Sequence, residues 1–118
     1  MTWSVLIVDD HDGFRSSARA LLEADGFHVV GEAATGAQAV DRAARLAPDL
    51  VLLDIQLPDV DGFAVATALA RGPRPPLVVL VSARDAAMYG PRLAHARFLA
   101  KHNLSGPALR ALLGPGDP

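Results

Sequence analysis

The 118-residue sequence has no cysteine. That excludes a disulfide scaffold, a thiolate zinc site, an iron–sulfur cluster and a cysteine nucleophile. It has a single lysine, Lys101, against ten arginines, and only six aromatic residues. No apolar run approaches the eighteen residues a membrane-crossing helix needs. The N-terminal apolar stretch meets an aspartate pair at Asp9-Asp10, so it does not read as a secretory signal, and a cytoplasmic location is expected. Charge of one sign is also missing. Eleven basic residues against thirteen acidic give a net −2, which is neither a nucleic-acid clamp nor an attraction to anionic membranes. What is present is ordinary: 51% apolar and 20% charged residues in a chain long enough for one core and too short for two.

Short apolar runs alternate with amphipathic stretches. Val5-Leu6-Ile7-Val8 reads as a strand buried on both faces, followed by a helix carrying Phe14, Ala18, Leu21 and Leu22 and closed at Asp25-Gly26. His28-Val29-Val30 is a weaker strand. Thr35 and Gln38 form a capping box for a helix that Pro48 stops. Leu50-Val51-Leu52-Leu53 is a third strand, and Asp61 caps a helix with Phe63, Ala66 and Ala70. Leu77 to Val81 is the strongest strand, and Phe98-Leu99-Ala100 is a short one. Between them Gly90-Pro91 breaks any helix over 86–96. Ser105 caps a last helix with Leu109, Leu112 and Leu113. Five strands with helical crossovers imply a parallel α/β sheet. The expected domain covers 3–113, with 114–118 a tail or linker stub.

Four strands end in a residue able to do chemistry: Asp9-Asp10, Asp54, Ser82 and Lys101. Ligands of open α/β sheets bind beyond the carboxyl ends of the strands, so topology alone gathers these residues on one rim. Three carboxylates together repel, which raises a pKa unless a cation relieves them. Oxygen donors without cysteine favour Mg2+ or Mn2+ over zinc. A carboxylate left free can attack phosphorus and become an aspartyl phosphate. The metal and Lys101 would neutralise the product, and Ser82 would donate a hydrogen bond to it. Lysine kept at one position in an arginine-using chain points to a need for a compact ammonium.

Val8-Asp9-Asp10-His11, Leu53-Asp54 through Pro58 to Asp61-Gly62, Val81-Ser82-Ala83 and Phe98-Leu99-Ala100-Lys101 together resemble the receiver domain of two-component response regulators, most like those of the NarL/LuxR type. The resemblance implies a flavodoxin-like, doubly wound five-stranded sheet of order 2-1-3-4-5. It implies Asp54 as phosphoacceptor. Asp9 and Asp10 would be the acid pair of a Mg2+ site made of Asp9, Asp10, Asp54 and the backbone carbonyl of Gln56, with Asp10 and Asp54 binding the ion through their side chains. Ser82 and Lys101 would be phosphoryl-binding residues, with Phe98 the aromatic that changes rotamer with Ser82. A sensor histidine kinase would be the partner, with room for a homodimer and with no nucleic acid or membrane bound by this chain. The output would be transcription through an effector domain that lies outside this sequence. The stretch from Ser82 to Lys101 departs from the pattern: it is short and carries Gly90-Pro91, so an irregular fourth helix is expected. His102 rather than proline follows Lys101, so no cis-proline turn is expected there.

Two other readings compete. One is a degenerate receiver that only binds a partner or dimerises. The other is an aspartyl-phosphate phosphohydrolase, for which the Asp9-Asp10 spacing and the chain length are both wrong. Asp59 and Asp61 read as turn and capping residues. His11 lies beside the acid pair, with a solvated imidazole the plainer reading. Met88 and Tyr89 read as core, and the scattered arginines as solvated faces.

Overall fold

The computed structural model describes residues 2–114. Part of the expected tail, 115–118, lies outside the described residues. Five strands, β1 (Ser4–Val8), β2 (His28–Ala33), β3 (Leu50–Asp54), β4 (Leu77–Ser82) and β5 (Arg97–Ala100), form one parallel sheet in the order β2-β1-β3-β4-β5. Four helices connect or follow them: α1 (Asp12–Ala24), α2 (Gly36–Leu46), α3 (Gly62–Ala70) and α4 (Gly106–Leu113).

Strand side chains alternate between the two faces, and both faces are covered. Val5, Ile7, Leu50, Leu52, Val79 and Val81 face one layer, which Ala18 and Leu22 of α1 and Leu109 of α4 close. Leu6, Val8, Val51, Leu53 and Leu80 face the other, closed by Ala39 of α2 and Val65 and Leu69 of α3. All residues of β3 are buried, as expected of the central strand. β2 is longer than its apolar core suggests, because a bulge at Val30 shifts the register and lets Gly31, Glu32 and Ala33 continue pairing with β1.

The helix caps follow their side chains. Thr35 Oγ1 accepts from Gln38 N at 3.1 Å, Asp61 Oδ1 from Phe63 N at 2.6 Å, and Ser105 Oγ from Ala108 N at 3.1 Å. Gln38 reaches back one residue further than a capping box requires, accepting from Ala34 N. Asp59 caps across space: its two oxygens accept from Gly36 N and Ala37 N at the start of α2.

Between β4 and β5 the chain makes two 3-10 turns, Ala86–Met88 and Gly90–Leu93, in place of an α-helix. Gly90 has φ +53, and Pro91 follows it at the start of the second turn. Tyr89, Leu93 and Phe98, with Phe63, pack there against the second core layer. The core reading therefore holds for Tyr89 and fails for Met88, which is 63% exposed because the short turns cannot fold its side chain inward. A further 3-10 turn over Lys101–Asn103 replaces the proline turn, and no peptide bond is cis among the described residues.

Candidate functional site

The sheet order reverses between β1 and β3, and the crevice opens at the carboxyl ends of these two strands. Asp9 follows β1, Asp54 ends β3, Ser82 ends β4 and Lys101 follows β5. Topology thus brings together residues as far apart in sequence as Asp9 and Lys101.

Asp54 is 3% exposed. Its Oδ1 accepts from Gln56 N at 3.1 Å, and its Oδ2 lies 3.4 Å from Lys101 Nζ. Burial pushes the Asp54 carboxyl above its ordinary range. The Gln56 N–H draws it back, the Asp9 charge adds to the rise and the Lys101 ammonium opposes it. Asp9 is fully buried. Its Oδ1 accepts from His11 N at 2.8 Å. Its Oδ2 lies 2.6 Å from Lys101 Nζ, at an angle unsuited to a hydrogen bond, and has no hydrogen-bond partner among the described residues. The single lysine therefore spans both buried carboxylates, closer to Asp9 than to Asp54.

Asp10 stands at the rim, with its side chain 36% exposed. Ligand atoms of Asp9, Asp10, His11 and Asp54 all lie within 4.8 Å of one another. A hard divalent cation fits this set: the donors are mostly carboxylate oxygens, and one of them is buried without a hydrogen bond. Gln56, whose backbone carbonyl was expected among the ligands, is held in its turn by its own N–H bond to Asp54. With its amide turned to satisfy both ends, the Gln56 side-chain oxygen accepts from Arg84 Nε at 3.1 Å.

Ser82 is fully buried, but its hydroxyl is engaged elsewhere. It accepts from Arg84 N at 3.0 Å and lies 2.7 Å from the Tyr89 hydroxyl. Phe98 makes a ring contact with Tyr89, with centroids 6.3 Å apart.

Three contributors escaped the sequence reading, and for a fourth, His11, both pocket contact and solvation were open. Arg15 is not a solvated arginine: its side chain is 14% exposed, donates to the Asp9 carbonyl and bonds Glu32 at 3.0 Å. Arg42 likewise donates to the Glu32 carbonyl. Phe14, read only as helix core, lies beneath the Lys101 ammonium, 4.6 Å from its ring centre. His11 is 67% exposed yet keeps Nδ1 3.0 Å from Asp9 and 3.2 Å from Asp10, so solvation and contact with the acid pair coexist. Only His11 carried a sequence signal, its adjacency to the acid pair.

Residues 5–103 match the response regulator receiver domain family, and the chain belongs to it. A response regulator named GacA from Pseudomonas viridiflava is 37% identical over 93 residues, covering 78% of this chain and 44% of its own length. A transcription regulator named BvgA from Bordetella pertussis is 35% identical over 101 residues, covering 83% and 48%. The chain thus spans less than half the length of these relatives. A protein-glutamate methylesterase/protein-glutamine glutaminase of Alkalilimnicola ehrlichii is 45% identical over 75 residues, 62% of this chain and 19% of that protein. Among solved structures, a signal receiver domain assigned to NarL of Mycobacterium tuberculosis superposes with a TM-score of 0.79 at 34% identity, covering 97% of this chain and 98% of that one. The receiver is a regulatory domain. No helix among the described residues is long and apolar enough to cross a membrane.

Proposed function

We propose that Asp54 accepts a phosphoryl group from a sensor histidine kinase. An Asp54 oxygen attacks phosphorus, the bond from phosphorus to the donor histidine nitrogen breaks, and the freed imidazole takes up a proton. The observation that carries this reading is a buried strand-end carboxylate beside two further carboxylates, with the single lysine reaching it at 3.4 Å. Mg2+, with Mn2+ as a substitute, would be held by Asp9, Asp10, Asp54 and the Gln56 carbonyl. It would supply charge neutralisation at the phosphoryl oxygens. Lys101 would move from Asp9 toward the phosphoryl group, and Ser82 would donate to it. Phe98 would respond through its ring contact with Tyr89.

The unit doing this would be residues 3–113, acting in the cytoplasm as a phosphoacceptor with no catalysis beyond its own phosphorylation and dephosphorylation. It would bind neither nucleic acid nor membrane itself, and it would pass the signal to a transcriptional output, with homodimerisation as one route. The 3-10 turns between β4 and β5 give the simple binding module its one supporting observation.

Incubation with Mg2+ and acetyl phosphate tests the assignment of Asp54. Intact mass should rise by one phosphate, the adduct should be cleaved by hydroxylamine, and Asp54→Asn should gain nothing. Equal labelling of Asp54→Asn, or no labelling of the parent chain, overturns the assignment.

A further inference from the structure

The switch hydroxyl has a partner that neither the motif pattern nor the family comparison supplies. Phe98 stands where an aromatic is expected to follow Ser82, but a phenyl ring cannot hydrogen-bond a hydroxyl. The hydroxyl that meets Ser82 comes from Tyr89, at the junction of the two 3-10 turns, with an O···O separation of 2.7 Å. The Tyr89 ring lies between Phe63 and Phe98, with centroids 5.9 and 6.3 Å away and tilted contacts on both sides. Arg92 completes the cluster: it sits 4.0 Å above the Phe63 ring and bonds the α3 cap Asp61 at 2.7 Å. The Ser82–Tyr89 bond ties β4 to the two 3-10 turns, and the ring packing and the Arg92–Asp61 pair join β5 and the start of α3 to them.

Ser82 has one proton and two lone pairs. Arg84 N occupies one lone pair, and Tyr89 takes either the proton or the other lone pair. With Ser82 as donor its one proton is committed to Tyr89; with Tyr89 as donor both lone pairs are filled and the Ser82 proton is left free. A phosphoryl group on Asp54 brings acceptor oxygens stronger than a phenol, and a Ser82 that donates to Tyr89 can serve them only by giving up that bond. A cleft of about 350 Å3 lined by Gln56, Leu57, Val60 and Tyr89 itself gives the released side chain space.

We propose that Tyr89 is a positioning residue that accepts the Ser82 proton in the unphosphorylated chain, and that phosphorylation of Asp54 parts this bond and releases the 3-10 segment carrying the exposed Met88. This rests on Asp54 as phosphoacceptor. It differs from a rotamer change at Phe98 because it places the moving hydroxyl on the β4–β5 connection.

The sequence has one tyrosine, so 3-fluorotyrosine introduces a single fluorine probe. The full chain is treated with Mg2+ and acetyl phosphate. An Asp54 oxygen attacks phosphorus, the acyl oxygen–phosphorus bond breaks and acetate leaves. Each sample is followed by fluorine NMR and intact mass. A second resonance should grow in step with the phosphorylated fraction. In Ser82→Ala the starting resonance should already be displaced and should move less on labelling. Tyr89→Phe keeps the ring packing and frees Ser82. It should label about two- to tenfold faster, the effect of removing one competing hydrogen bond. Full mass gain with an unmoved resonance overturns the Tyr89 role alone, as does a Tyr89→Phe labelling rate equal to the parent's. No mass gain overturns the Asp54 reading and, with it, phosphorylation as the trigger.

Discussion

Asp54 carries its charge in surroundings that oppose ionisation. Burial raises its carboxyl above the ordinary value of 3.8, and neither the Gln56 N–H nor Lys101 fully offsets that rise. An acid whose pKa is raised by folding binds its proton more tightly in the folded state, so its ionisation destabilises the fold as pH climbs through the raised value. Asp54→Asn should therefore melt several degrees above the parent at pH 7 in EDTA, and the gap should close as pH falls below the ordinary value. Addition of Mg2+ should raise the melting temperature of the parent more than that of Asp54→Asn, because the cation relieves the repulsion that the substitution has already removed. Thermal scans at the two pH values, with and without the ion, check both expectations. Asp9, Asp54 and Lys101 could be singled out from sequence because each directly ends an apolar run. Arg15, Phe14 and Tyr89 could not. Their roles depend on which residues approach them across the fold, and arginine, phenylalanine and tyrosine are equally at home on an ordinary helix or loop.

At the scale of the element, the start of α3 is the tightest junction in the site. A Cβ on Gly62 would lie 2.5 Å from the Asp54 carbonyl oxygen and 2.7 Å from Ile55 Cα, both backbone atoms that cannot step aside. Gly62 N also donates to the Ile55 carbonyl at 2.7 Å. Gly62→Ala should cost about 1–3 kcal/mol as α3 is pushed off the strand end. The urea midpoint should fall, and Mg2+ binding should weaken with it. Ser105→Ala removes a cap remote from the site. It should cost about 1 kcal/mol and leave Mg2+ affinity unchanged, and the two variants together separate damage to the fold from damage to the pocket. The three caps at Thr35, Asp61 and Ser105 were legible because capping is local chemistry. The long-range cap by Asp59 was not, since the helix it serves begins 23 residues earlier. The 86–96 stretch could be read as broken at Gly90-Pro91. That two 3-10 turns would fill the gap depends on the aromatic packing beneath them.

For the whole molecule, the alternation of strand and helix was enough to expect a parallel sheet, and the motifs added its order through resemblance. The paired buried layers made this legible: Val5, Ile7 and Leu6, Val8 serve opposite faces, so the strand has no polar side to reveal. Leu52, central and fully buried, reports on the entire fold. Leu52→Ala should lower global stability by about 2–5 kcal/mol. It should shift circular dichroism and fluorescence transitions together if the two layers unfold as one unit.

Lys101 reaches Asp54 from 47 residues further along the chain, on the far side of two complete crossovers. During translation Asp54 therefore leaves the ribosome well ahead of the ammonium that completes its surroundings. A nascent chain stopped after α3 should be inert toward phosphodonors, and competence should arrive only when the last strand docks. On the proposed reading, the order of synthesis would keep Asp54 from accepting a phosphoryl group before the last strand is in place.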